Sequence, residues 1–216
     1  DYFRIADINV HAGFWWWFAR VTAGTFIFLV GISLTISHSR SKKLSKFFLR
    51  GLKIFFWGLV ITLVTYLFVD EEYVRFGILH FIGLSVILGY FFMRFRFINL
   101  ILGVACLVGG IYLKGLVFSF PWLLWLGLKP ENFQTIDYFP LLPWFGVFLL
   151  GMFFGKLLYP EGARRFRLRE LNNPATKSLG FLGRHSLLIY LIHQPIALGI
   201  LLALYYDTMS RFLPYL

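Results

Sequence analysis

Six apolar runs separated by short polar segments make up this 216-residue chain: Trp15–Ser37, Ile54–Val69, Phe76–Met93, Phe97–Val117, Pro140–Leu158 and Ser186–Tyr206. The runs are continuously apolar, without the ten-residue in–out alternation of outer-membrane strands, so helices are expected rather than a barrel. Their lengths approach the 17–25 residues that a helix rising ~1.5 Å per residue needs to cross a ~30 Å hydrocarbon core. The expected fold is therefore all-α, a polytopic transmembrane helical bundle with about six spanning helices, forming one membrane-embedded domain over residues 1–216. Ile54–Val69 and Phe76–Met93 are the shortest runs and have the least sharply defined ends.

The polar segments between the runs alternate in sign. The segments holding Arg40, Lys42, Lys43, Lys46, Arg50 and Lys53, then Arg94 and Arg96, then Lys156 to Arg184 carry fifteen bases against Glu161 and Glu170, a net of +13. The other set, including both ends of the chain, holds five bases and eight acids, a net of −3. By the positive-inside rule the three basic loops are expected in the cytoplasm and both ends of the chain outside. The overall +11 is thus a topological signal rather than a nucleic-acid footprint.

Composition agrees with this picture. The chain is 59% hydrophobic, 21% aromatic and only 14% charged, with mean hydropathy +0.74, which excludes an ordinary soluble domain. Cys106 is the single cysteine, so no intramolecular disulfide and no cysteine-based metal site is expected. Asp1 is not an initiator methionine and no secretory leader precedes it, so an N-terminally incomplete domain with an earlier helix is expected. The stretch Phe118–Phe139, with Pro121, Pro130, Trp122 and Trp125, reads as interfacial or re-entrant, and Pro140 and Pro143 then open a helix. Tyr159–Gly183 reads as a basic amphipathic connector on an anionic leaflet, and Gly151 and Gly155 as a close-packing helix face.

Chemistry in such a protein falls to the few polar groups inside the membrane, where an ionisable side chain costs roughly 2.5–3.5 kcal/mol or more. Arg20 lies about two turns into the first run and His80 about one turn into the third. His193 stands near the middle of the last run, beside Gln194 and a Pro195 that kinks the helix. His11 precedes the first run on the same side as His80. Each has a structural alternative: a histidine can bond a neighbouring helix, Arg20 can snorkel to headgroups, and the lysines can signal topology alone. His38 and His185, at helix ends, are expected to be interfacial.

Four blocks then carry a resemblance over nearly the whole chain. Asp7–Ser37, with Gly13-Phe14-Trp15-Trp16-Trp17 and Phe26-Ile27-Phe28-Leu29-Val30-Gly31, is followed in order by RFGILHFIGLSVIL (Arg75–Leu88), YFPLLPWFGVFLLGMFFG (Tyr138–Gly155) and LGRHSLLIYLIHQP (Leu182–Pro195). Together they resemble a family of prokaryotic membrane proteins related to heparan-alpha-glucosaminide N-acetyltransferase. The resemblance implies an acyltransferase of the prokaryotic cell membrane that moves an acetyl group from cytosolic acetyl-CoA to an amine or hydroxyl of an extracytoplasmic sugar. It places His11 close to the histidine considered catalytic in the lysosomal enzyme. It also implies a preceding helix with an Arg-Gly pair, so the family's first helix is expected to be missing from this sequence.

Acetyl transfer needs a base for the acceptor proton and a donor for the oxyanion. His80, His11 and His193 are the candidate bases, with Arg20 or Gln194 on the oxyanion. His193 and His80 could also line a polar path across the bilayer. Lys42, Lys43 and Arg184 are candidates for the CoA phosphates by charge complementarity. The expected partners are the lipid bilayer, acetyl-CoA and a carbohydrate acceptor, with a homodimer left open and no metal or nucleic acid. A transporter-like protein relaying protons through its histidines, or a non-catalytic membrane subunit, is the alternative; the lack of an inverted repeat counts against the transporter.

Overall fold

The computed structural model describes residues 13–69, 72–113, 116, 118, 122–131, 133–166 and 173–193. They fall in two compact units, one within Ile8–Phe166 and one within Arg167–Leu216. The first unit carries α1 (Gly13–Arg40), α2 (Leu44–Val69), α3 (Ile78–Phe92), α4 (Phe97–Leu113) and α5 (Leu141–Leu158), with a short 3-10 turn at Pro160–Gly162. The second carries α6 (Pro174–Arg184), and residues 186–193 are helical beyond it. No strand occurs among the described residues; one isolated parallel bridge joins Phe76 to Tyr138.

The first five apolar runs are the five helices of the first unit. α1, α2 and α5 are long and apolar enough to cross a membrane, whereas α3 and α4 are shorter apolar helices of 15 and 17 residues. Six spans are therefore not established. The last run lies beyond residue 193 for most of its length and so outside the described residues. α2 begins ten residues before the apolar run that marks it, because Leu44–Lys53 continues the helix with Phe47 buried and Lys46, Arg50 and Lys53 on other faces.

The core of this unit is where three helices meet. Ile27 and Leu34 of α1, Phe81 and Val86 of α3, and Phe148, Leu149 and Met152 of α5 are sealed from solvent. α5 packs between α1 and α4, and α3 packs against α2. The approach of α1 and α5 is close enough that a Cβ at Gly151 would meet the Phe28 carbonyl oxygen at 2.2 Å. The outward faces stay apolar, with Phe56, Leu67, Ile101 and Ile111 exposed. That inside-and-outside apolarity suits a lipid surround and no aqueous one.

Because the helices run alternately up and down, their connections gather at two ends. At one end the α1–α2 and α3–α4 links and the chain after α5 meet: the Tyr90 hydroxyl donates to the Lys42 carbonyl (3.0 Å), and Lys156 Nζ donates to the Met93 carbonyl. At the other end residues 135–139 dock on 72–77. Ile136 N–H donates to the Glu72 carbonyl (2.9 Å), Phe139 N–H to Phe76 (2.9 Å) and Thr135 Oγ1 to Tyr73 (2.9 Å). Basic residues crowd the first end, whereas Glu72, Glu131 and Asp137 stand at the second with Arg75 and Lys129.

Candidate functional sites at the two ends of the bundle

At the basic end, a cleft of about 290 Å³ opens between the last turn of α1 and the end of α5. Thr35, His38 and Ser39 line it from α1, Lys42 from the link, Met93 from the end of α3, and Lys156 with Tyr159 to Gly162 from the far wall. The 3-10 turn that closes this wall relies on left-handed backbone at Glu161 (φ 52°) and Gly162 (φ 84°). At Gly162 a Cβ would strike the Ser39 hydroxyl, so glycine is required both by conformation and by space. His38 is fixed in an aromatic cluster, its ring 5.9 Å from that of Phe47 and 5.8 Å from that of Tyr90. Thr35 and Ser39 hydroxyls bond back to the Ile32 and Ile36 carbonyls of their own helix. Lys42, Lys156 and His38 thus converge on one cleft against a single carboxylate, Glu161. That balance favours an anion.

At the other end, His80 is 2% exposed and sits at the third residue of α3. Its ring packs edge-on to Phe55 (5.2 Å) and stacks on Phe76 (5.7 Å), beside Gly58 of α2. Gly77 N–H donates to Nδ1 (3.3 Å), while Thr62 Oγ1, which gives its own proton to the Val74 carbonyl (2.7 Å), lies 3.4 Å from Nε2. This pattern assigns the neutral tautomer with the proton on Nε2. Both nitrogens are then engaged within the protein.

Beside it, Ile78 N–H donates to Asp137 Oδ2 (2.9 Å), so a carboxylate from residues 133–139 caps the N-terminus of α3. A Cβ at Gly77 would meet that same Oδ2 at 2.3 Å, which is why the turn before α3 carries glycine. Asp137 is half-buried, and Oδ1 makes no hydrogen bond among the described residues. Burial pushes the carboxyl above its ordinary value, and the Ile78 hydrogen bond opposes that rise. The neighbouring Tyr138 phenol donates to the Leu124 carbonyl (2.7 Å), and burial raises it as well.

The remaining candidates lie elsewhere. Arg20 is exposed on α1, its guanidinium 3.9 Å from the Trp16 ring centroid. Lys43 is exposed and does not line the cleft. Arg184 closes α6 and His193 is exposed on the 186–193 helix, with Nδ1 against the Tyr190 carbonyl; both belong to the second unit. His11 and Gln194 lie outside the described residues. Sequence reasoning singled out Lys42 but neither Lys156 nor Asp137, which it counted only as loop charges. Their convergence depends on which loops meet, and the positions of Lys156 in the last turn of a helix and Asp137 beside a Pro-rich helix start were the only signals. Among the described residues no three His, Cys, Asp or Glu side chains form a metal-binding group.

Comparison with protein families finds a match over residues 1–195 to the family described as heparan-alpha-glucosaminide N-acetyltransferase, catalytic. No curated protein and no solved structure matches the chain.

Proposed function

Since the chain belongs to the heparan-alpha-glucosaminide N-acetyltransferase catalytic family, we propose that this membrane protein transfers acetyl from acetyl-CoA to an amine or hydroxyl of a sugar across the bilayer. The donor binds at the basic end and the acceptor at the opposite end. The observation that carries this reading is the cleft of about 290 Å³ at the basic end, which Lys42, Lys156 and His38 line together. Ammonium groups there attract the negative CoA phosphates, and the rule that concentrates bases on the cytoplasmic face puts them where acetyl-CoA is available.

The shortness of α3 helps. α3 separates the two ends with 15 residues, ~22 Å at 1.5 Å per residue, less than a full hydrocarbon core. A donor anchored by its phosphates at one end therefore has a short distance to carry its thioester towards the other. There, the acceptor nitrogen or oxygen attacks the thioester carbonyl, the new C–N or C–O bond forms and the C–S bond breaks. His80, with both nitrogens engaged, holds the start of α3 in place; Arg20 or Gln194 serves the oxyanion.

Steady-state kinetics with the detergent-purified full chain test the donor site. Lys42→Glu and Lys156→Glu should each raise KM for acetyl-CoA by about tenfold or more and leave KM for glucosamine near the parent's, since each reversal replaces an attraction with a repulsion. Unchanged acetyl-CoA dependence in both folded variants would remove the cleft from donor binding.

A further inference from the structure

We propose that the Asp137 carboxylate takes the acceptor's proton during acetyl transfer, a role that rests on the acyltransferase reading above. The titratable groups at this end differ in what their atoms are already doing. His80 is sealed in, with Nδ1 receiving the Gly77 N–H and Nε2 turned to Thr62. Tyr138 donates its hydroxyl proton to the Leu124 carbonyl. Glu131 is exposed on a turn, and no hydrogen bond fixes the carboxylate of Glu72 or Glu131 among the described residues. Asp137 alone among these has one oxygen anchored, Oδ2 by the Ile78 N–H at 2.9 Å, and its second oxygen unengaged among the described residues.

That arrangement is what a general base needs: fixed orientation and a spare lone pair. The orientation is over-determined, because residues 135–139 are pinned to 72–77 by the Ile136, Phe139 and Thr135 hydrogen bonds. Charged and titratable neighbours on the elements packed against it are Glu72, Tyr73 and Arg75 on the 72–77 segment, His80 on α3 and Lys129, whose ammonium lies 4.7 Å from the ring centroid of the adjacent Tyr138. Arg75 lies over the Tyr73 and Phe133 rings at 5.0 and 5.4 Å, leaving a cation beside the strap that carries the carboxylate. Partial burial also raises the Asp137 carboxyl above its ordinary value, which strengthens a base.

The step balances without a further reagent. The acceptor's lone pair forms the bond to the acetyl carbon, and the C–S pair leaves with the CoA thiolate. Asp137 Oδ1 takes the proton from the acceptor nitrogen or oxygen and returns it to the thiolate, restoring the carboxylate.

Asp137→Asn is the test, because the amide oxygen still accepts the Ile78 N–H while no proton can be taken up. With the full chain in detergent, radiolabelled acetyl-CoA and glucosamine, kcat should fall by about 10²–10⁴-fold, while KM for acetyl-CoA stays near the parent's and the thermal midpoint stays at or above it. The parent's rate should decline on acidification through an acid limb set by this carboxyl, and Asp137→Glu, which keeps a carboxylate at a different reach, should move that limb. An Asp137→Asn protein as active as the parent overturns the proposal, as does a limb that Asp137→Glu leaves in place. A parent that transfers no acetyl at all overturns the acyltransferase reading itself, which separates the two failures.

Discussion

Between Phe55 and Phe76, the imidazole of His80 fills a slot and answers two polar groups at once. Truncating it would leave a void and strand the Gly77 N–H in a buried turn. His80→Ala should therefore lose about 2–4 kcal/mol of stability, read as a lower unfolding midpoint in detergent. A variant as stable as the parent would contradict the geometry. His80→Gln can still accept a hydrogen bond yet cannot serve as a base, and it should retain most transfer activity. Loss of that activity in folded His80→Gln would return the proton-taking role to His80. Asp137 gives the pH dependence its sign. Its folded-state pKa lies above the ordinary 3.8, so the native state holds the proton more tightly than the unfolded chain does. Its contribution is complete below pH 3.8 and is lost as pH rises through the raised value. The stability difference between parent and Asp137→Asn should move against the parent over that rise; a difference constant with pH would show the carboxyl is not raised.

At the scale of elements, the seam between α1 and α5 fixes the cleft, since Lys42 and Lys156 hang from the ends of these two helices. The seam depends on glycine: Cβ atoms at Gly31 and Gly151 would lie 2.3 and 2.2 Å from the Phe148 and Phe28 carbonyl oxygens. Gly151→Ala should push the helices apart and cost about 1–3 kcal/mol, seen as a reduced midpoint together with weaker acetyl-CoA dependence. An Ala variant with the parent's midpoint would mean the helices sit farther apart than this. The five helices of the first unit were legible in the sequence, because unbroken apolar runs bounded by charges leave few alternatives in a membrane. The start of α2 was not, since Lys46, Arg50 and Lys53 interrupt the apolar pattern while Leu44, Phe47 and Leu49 continue the helix. Nor were the functional groupings. Lys42 could be named from charge, but its pairing with Lys156 arises only when two loops distant in sequence meet. Asp137 looked like one more acid of the negative set until its oxygen was found on the first N–H of α3. His80 was legible as a buried histidine, but whether its nitrogens were spare depended on Thr62 and Gly77, which no pattern ties to it.

At the largest scale, the separation of charge between the two ends of the first unit is what the proposed sidedness of donor and acceptor rests on. With Cys106 replaced by serine, a cysteine at Lys43 should be labelled from the cytoplasmic face alone, and one at Glu72 or Glu131 from the opposite face alone. Labelling of position 72 from the cytoplasm would invert the arrangement. The most direct measurement uses the full chain in sealed liposomes with known orientation, acetyl-CoA supplied on one face and glucosamine on the other. Acetylated glucosamine should accumulate on the face opposite the donor, and only when acetyl-CoA meets the basic end. Transfer that ignores which face receives acetyl-CoA, or none in either orientation, would contradict a donor site at the cleft of Lys42 and Lys156.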